Sequence, residues 1–112
     1  MITNRTNTPH YQWGRGCAAW LLFKSANAII KEEIMPPGTE EVPHYHAATE
    51  QFFYVCEGEA VFYLEDRKYT LRQGDFIPVK NNATHKISNQ SGNSLRFLIV
   101  SFPGNESDRI NV

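Results

Sequence analysis

From Trp13 to Phe102 the chain is broken by turn signals about every 8 to 15 residues, too closely for helices of ordinary length. Pro36-Pro37-Gly38, Gly58, Asp66-Arg67, Gly74-Asp75 and Ser91-Gly92-Asn93 each stop a short run rich in β-branched, aromatic or other bulky residues. Those runs are CAAWLLFK, AIIKEEIM, VPHYH, QFFYVCE, AVFYLE, KYTLR, FIPV, HKISN and SLRFLIVSF. CAAWLLFK alone is also compatible with a short helix; its length, the glycines before it and the strand after it favour a strand. No amphipathic helical pattern stands out. The expectation is an all-β sandwich or barrel in a single domain.

Alternation identifies inner faces. In EAVFYLE the set Ala60, Phe62, Leu64 is more uniformly apolar than Val61, Tyr63, Glu65 and is expected to face the core. In LRFLIVSF both parities are apolar apart from Arg96 and Ser101, so this strand is expected to be covered on both sides. A small barrel does not cover its own outer surface, and the expected cover is a second copy of the chain, a homodimer. Residues 1–12 read as a polar N-terminal arm, 13–102 as the barrel and 103–112 as a polar tail, loose or packed on the partner.

The stretch GTEEVPHYHAATEQFFYVCEG carries the chemistry. His44 and His46 are separated by one residue, so on a strand both imidazoles leave the same face. Same-face neighbours lie roughly 6 to 7 Å apart at Cα, and two rings leaning together reach one ion at about 2.0 to 2.2 Å per bond. Such a pair alone is equally compatible with ordinary strand histidines. His85 strengthens the metal reading: its same-parity neighbour Ile87 is apolar while Lys86 and Ser88 are polar, which turns His85 inward. Either Glu50 or Gln51 can join them, not both, because successive side chains alternate between faces. Three histidines and one amide or carboxylate suit a divalent transition metal with positions left for water or substrate.

These residues resemble the two motifs of the cupin superfamily, over roughly residues 28 to 102. The first is a glycine, His-x-His, an acid and a second glycine; Gly38, His44, His46 and Gly58 fit it. The second is a glycine, Pro-x-Gly, a histidine and an asparagine; Gly74, His85 and Asn89 fit it. The resemblance implies an antiparallel double-stranded β-helix, the jelly-roll barrel, with His44, His46, Gln51 and His85 as the metal set. Counting back from Gly58 along a continuous strand puts Gln51 at the acidic position, whereas counting forward from His46 across a loop selects Glu50. Lys80 and Asn82 stand where the second motif has proline and glycine. Asn82 tolerates a left-handed turn, and Lys80 is expected to add a cation near the mouth of the site.

A net charge of −1 supplies no basic field for nucleic acid, and no apolar run approaches the roughly 18 residues of a membrane span. No signal-peptide pattern opens the chain, so the cytoplasm is expected. Cys17 and Cys56 sit among apolar or aromatic neighbours and read as buried hydrophobes rather than a disulfide or a nucleophile. His10 reads as a surface residue of the arm, and Arg15 and Arg96 as pairing with either substrate or surface acids. The expected activity is that of a metal-dependent enzyme, isomerase-like or dioxygenase-like, acting on a small oxygen-bearing metabolite. Nickel, zinc, iron, manganese and copper all suit the ligands. Glu50, Glu33 or Glu40, if inward, would supply the acid or base. The other reading is a non-catalytic barrel that holds a sugar or metabolite for sensing.

Overall fold

A computed structural model describes all residues 1–112. It is all-β. The strands are β1 (His10–Trp13), β2 (Cys17–Lys24), β3 (Ile29–Met35), β4 (Thr39–Glu40), β5 (His44–His46), β6 (Glu50–Glu57), β7 (Glu59–Leu64), β8 (Arg67–Arg72), β9 (Phe76–Val79), β10 (His85–Asn89), β11 (Leu95–Phe102) and β12 (Arg109–Asn111). They form two antiparallel six-stranded sheets, one ordered β1-β2-β3-β11-β6-β9 and the other β12-β5-β10-β7-β8 with β4 paired to β10. Chain neighbours are often split between sheets: β3 pairs with β11, and β5 with β10. No helix is long and apolar enough to cross a membrane.

The inner faces follow the alternation. Ala60 and Phe62 are buried on β7 and Leu64 packs against the core. On β6 the buried set is Gln51, Phe53 and Val55; on β11 it is Leu95, Phe97 and Ile99. Phe53 lies 4.9 Å from Phe62 and 6.0 Å from Phe97 between ring centroids, which joins the two sheets through aromatic packing. The alternate residues of β11, Arg96, Leu98 and Val100, are only half-buried, and near them Phe23, Tyr54 and Phe76 are exposed. Within one chain, then, β11 is fully covered on its inner side alone.

Two turn positions show why their residues are needed. Gly58 has φ 93°, and a Cβ there would come within 2.6 Å of the Ser94 carbonyl oxygen, so the β6–β7 turn admits only glycine without moving backbone. Asn82 has φ 67°, the left-handed conformation expected of it in place of glycine.

The ends of the chain differ from expectation. His10–Trp13 of the polar arm pairs with β2, and Arg109–Asn111 of the tail pairs with β5. Neither short strand carries an alternating apolar pattern. Each satisfies the backbone groups of a strand that would otherwise be a sheet edge, a driving force that does not depend on side-chain sequence.

Candidate metal centre

The register of β5 against β10 sets His44 directly opposite His85, and the two-residue period of β5 turns His46 to the same side as His44. The ring centroids are 4.4 Å apart for His44 and His85, 5.2 Å for His44 and His46, and 5.6 Å for His46 and His85. One nitrogen from each ring falls within 4.8 Å of the others. Phe62 stacks nearly parallel to His85 at 5.9 Å, and Phe53 meets it edge-on at 5.8 Å, so the ring is held by packing from both sheets.

Hydrogen bonds fix which nitrogens face inward. Nδ1 of His44 lies 2.8 Å from the Val42 carbonyl and Nδ1 of His85 lies 2.9 Å from the Ala83 carbonyl. A carbonyl only accepts, so each Nδ1 carries the proton and each Nε2 presents a lone pair. Burial lowers the pKa of His44 to about 3 and that of His85 to about 4, which keeps both rings neutral. The Gln51 amide donates to Ser101 Oγ at 2.9 Å and turns Oε1 toward His85 Nε2 at 3.2 Å. Two lone pairs that close repel unless a positive charge joins them. Both ring nitrogens of His46 are buried without a hydrogen-bond partner. Orphaned nitrogens, neutral imidazoles and converging lone pairs together fit a divalent cation.

His44, His46 and Gln51 form part of the wall of a cavity of about 380 Å³. Gln51 lines it; Glu50 does not. Glu50 pairs across from Phe102 on the opposite parity of β6 and is half-buried there, so the expected acid or base at Glu50 finds no geometric support. Glu33 on β3 does line the cavity, only 6% exposed, and no hydrogen bond or ion pair is made by its carboxyl. Burial, reinforced by the nearby Glu41, pushes its pKa up to about 8. The Trp13 indole N–H is buried beside it without a completed hydrogen bond and pulls that value down slightly. Glu40 reaches the cavity rim, but its side chain is largely exposed and pairs with Lys86 at 3.3 Å.

Of the remaining expectations, only that for Lys80 is corrected. Lys80 lies outside this cavity, in a separate cleft with Asn81 and Asn82, because the β9–β10 turn carries it away from the histidines. Arg15 donates to the Gly38 carbonyl at 3.0 Å, and Arg96 pairs with Glu32 at 3.2 Å and Glu57 at 3.7 Å, so neither is free for a substrate. His10 stacks on Trp20 at the surface. Both thiols are raised in pKa, chiefly by burial, which makes them poor nucleophiles.

Several cavity residues escaped sequence reasoning. Glu41 accepts a hydrogen bond from the Ile87 N–H at 3.1 Å, and burial raises its pKa to about 7. Arg109 faces it, Nη1 to Oε2 3.9 Å. Lys31 reaches the Tyr11 hydroxyl at 2.8 Å and Glu106 at 3.8 Å. Tyr11, Trp13, Glu106 and Arg109 come from the two terminal segments, where no motif or alternation announces a cavity wall.

The sequence matches the cupin domain family over residues 31–101, and the chain belongs to that family. A double-stranded β-helix holding a histidine cluster is the class that the fold and site define. An uncharacterized protein of Methanocaldococcus jannaschii is 29% identical over 82 residues, 73% of this chain and 66% of that protein, so this chain spans just under two thirds of its relative's length. Among solved structures, the polyketide cyclase RemF of Streptomyces resistomycificus superposes with a TM-score of 0.85 at 21% identity, covering 100% of this chain and 84% of that one. A sugar phosphate isomerase of the cupin superfamily from Silicibacter pomeroyi gives 0.78 at 18% identity, covering 89% and 74%. At such identities the likeness is one of fold.

Proposed function

We propose that this cupin is a metal-dependent enzyme acting on a small, oxygen-bearing, anionic metabolite bound in its barrel. The carrying observation is that one cavity joins His44 and His46, whose imidazoles converge with that of His85, to the buried, unpartnered carboxyl of Glu33. His44, His46, Gln51 and His85 would hold the metal, which when bound supplies Lewis-acid polarisation of a ligand oxygen. Glu33 then moves the proton: with a pKa near 8 it is chiefly a carboxylic acid at neutral pH and becomes a base as pH rises. With no anionic ligand in the set the ion would keep its full positive charge, which favours an anionic group on the ligand, while the limited volume restricts it to a small molecule.

The test is elemental analysis of purified chain reconstituted with nickel, zinc, iron, manganese and copper in turn. About one metal per chain supports the reading, and no uptake of any of them defeats it. The non-catalytic alternative keeps metal and ligand but needs no proton transfer. A wild-type chain that binds its ligand without turning it over favours that alternative, whereas a Glu33→Gln variant that turns substrate over at the wild-type rate excludes Glu33 as the acid or base.

The same reading includes a homodimer. Leu98, Val100, Tyr54 and Phe76 leave an apolar outer face on the sheet that contains β11 and β6, which no element of the chain covers. Sedimentation would report a dimer, and Tyr54→Lys would shift it toward monomer.

A further inference from the structure

The end of the tail that follows the barrel is tied to the strand and loop of the metal centre. β12 pairs with β5 in register, Arg109 opposite His46 and Asn111 opposite His44, and the Val112 N–H continues the contact by donating to the Pro43 carbonyl. Just before that strand, the Asp108 carboxylate accepts three successive backbone N–H groups: Ala47 at 3.2 Å, Ala48 at 2.8 Å and Thr49 at 2.9 Å. Ala47 to Thr49 is the loop that leads from His46 to Gln51. Its geometry decides where these two side chains stand relative to each other, and no regular strand ladder fixes it.

His44 and His85 each have a backbone carbonyl that orients the ring, from Val42 and Ala83. His46 has no completed hydrogen bond of that kind. The Asp108 carboxyl is itself held well ionised by the hydrogen bonds it accepts, from Ala48 first.

We propose that Asp108 is a positioning residue of the metal centre, clamping the 47–49 loop so that His46 and Gln51 meet the ion that His44 and His85 already face. This rests on the metal-binding reading above. The role is that of an outer partner to metal ligands, whose loss typically weakens metal affinity about 10- to 100-fold. Asp108 approaches neither the ion nor a substrate; it acts through the loop.

Wild type, Asp108→Asn, Asp108→Ala and Asp108→Glu would be compared as full-length chains. Zinc affinity is read by competition with a chromophoric chelator, the cobalt(II) visible spectrum is recorded at saturation, and the melting temperature is measured without metal. Asp108→Asn trades one acceptor for a donor facing backbone N–H groups and is expected to bind zinc about 10- to 100-fold more weakly, with a changed cobalt spectrum. Asp108→Glu keeps both acceptors and should recover part of the affinity. Should the alanine variant not fold, the other two carry the comparison. A lowered melting temperature with unchanged affinity and spectrum overturns the assignment and leaves Asp108 a purely structural clamp. Wild-type chain that binds neither zinc nor cobalt, nor any of nickel, iron, manganese and copper, defeats the metal reading itself, whereas wild-type binding with unaltered variants defeats only Asp108.

Discussion

The cavity has two polar walls, and burial has opposite consequences at each. On the imidazole wall desolvation lowers the pKa of His44 and His85 to about 3 and about 4; on the carboxyl wall it raises Glu33 to about 8 and Glu41 to about 7. Near pH 7 the imidazole wall is therefore neutral and Glu33 chiefly so, while Glu41 is about half ionised. The partners differ. His44 and His85 are each fixed by a carbonyl that selects the tautomer, while Glu33 is left without a hydrogen bond. One wall is organised to present lone pairs to a cation, and the other keeps a proton available to a ligand.

The sharpest way to break this contrast is to remove a group from the imidazole wall. Structural zinc binding amounts to about 10 to 16 kcal/mol over four ligands, so one ligand is worth roughly 3 to 4 kcal/mol. His85→Ala should accordingly weaken zinc binding by at least about a hundred-fold in a chelator competition. Affinity within a few-fold of wild type would mean that the three rings do not act as one site.

The carboxyl wall should show itself next, in the pH dependence of stability of the metal-free chain. Glu33 is protonated more readily folded than unfolded, so folding is favoured below its unfolded value near 4.5 and loses that contribution as pH rises toward 8. Between pH 5.5 and 8.5 the loss from Glu33 is on the order of 3 kcal/mol. The histidines act in the opposite sense: their folded pKa values are depressed, so their contribution is present above about 6.5 and disappears as pH falls toward 3 to 4. Denaturant unfolding of Glu33→Gln should lose the Glu33 share of the alkaline decline, leaving the smaller share that Glu41 contributes below about pH 7, while keeping the acid decline. A decline unchanged in that variant would place the titrating group elsewhere.

A smaller effect separates two neighbours on one strand. Gln51→Ala should weaken zinc binding about 10-fold, whereas Glu50→Ala should change it less than about 2-fold, measured by the same competition. The reverse order would mean that β6 turns its other face to the ion in solution.

That pair also shows what could be read from the sequence. The two-residue period along the strand ending at Gly58, together with the family spacing, selected Gln51, which lines the cavity while Glu50 faces away. Apart from the two-residue β4, the strands from Cys17 to Phe102 were legible because turn residues bound them, and His85 because Ile87 shares its face. Nothing local marked Glu41, Arg109 or Asp108. Their positions follow from ladders of long sequence separation, β12 on β5 and Glu41 on Ile87, and such pairings are made by backbone groups that every residue carries. Lys80 was misplaced for a related reason: its nearness to His85 in sequence said nothing about which way the intervening turn would carry it.

The smallest expected effect tests how isolated the Glu33 carboxyl is. Of the groups acting on it, burial and Glu41 raise its pKa, while Lys31, Trp13 and Arg109 lower it. Trp13 does so as a dipole, through an N–H that lies close without reaching hydrogen-bond geometry. Trp13→Phe keeps an aromatic ring in the wall and removes only that donor, so the Glu33 pKa should rise by less than about one unit, equivalent to at most about 1.4 kcal/mol. The midpoint of the alkaline stability decline reports it and should move upward. A downward movement would mean that phenylalanine admits water to the carboxyl, making the indole a plug against solvent rather than a donor.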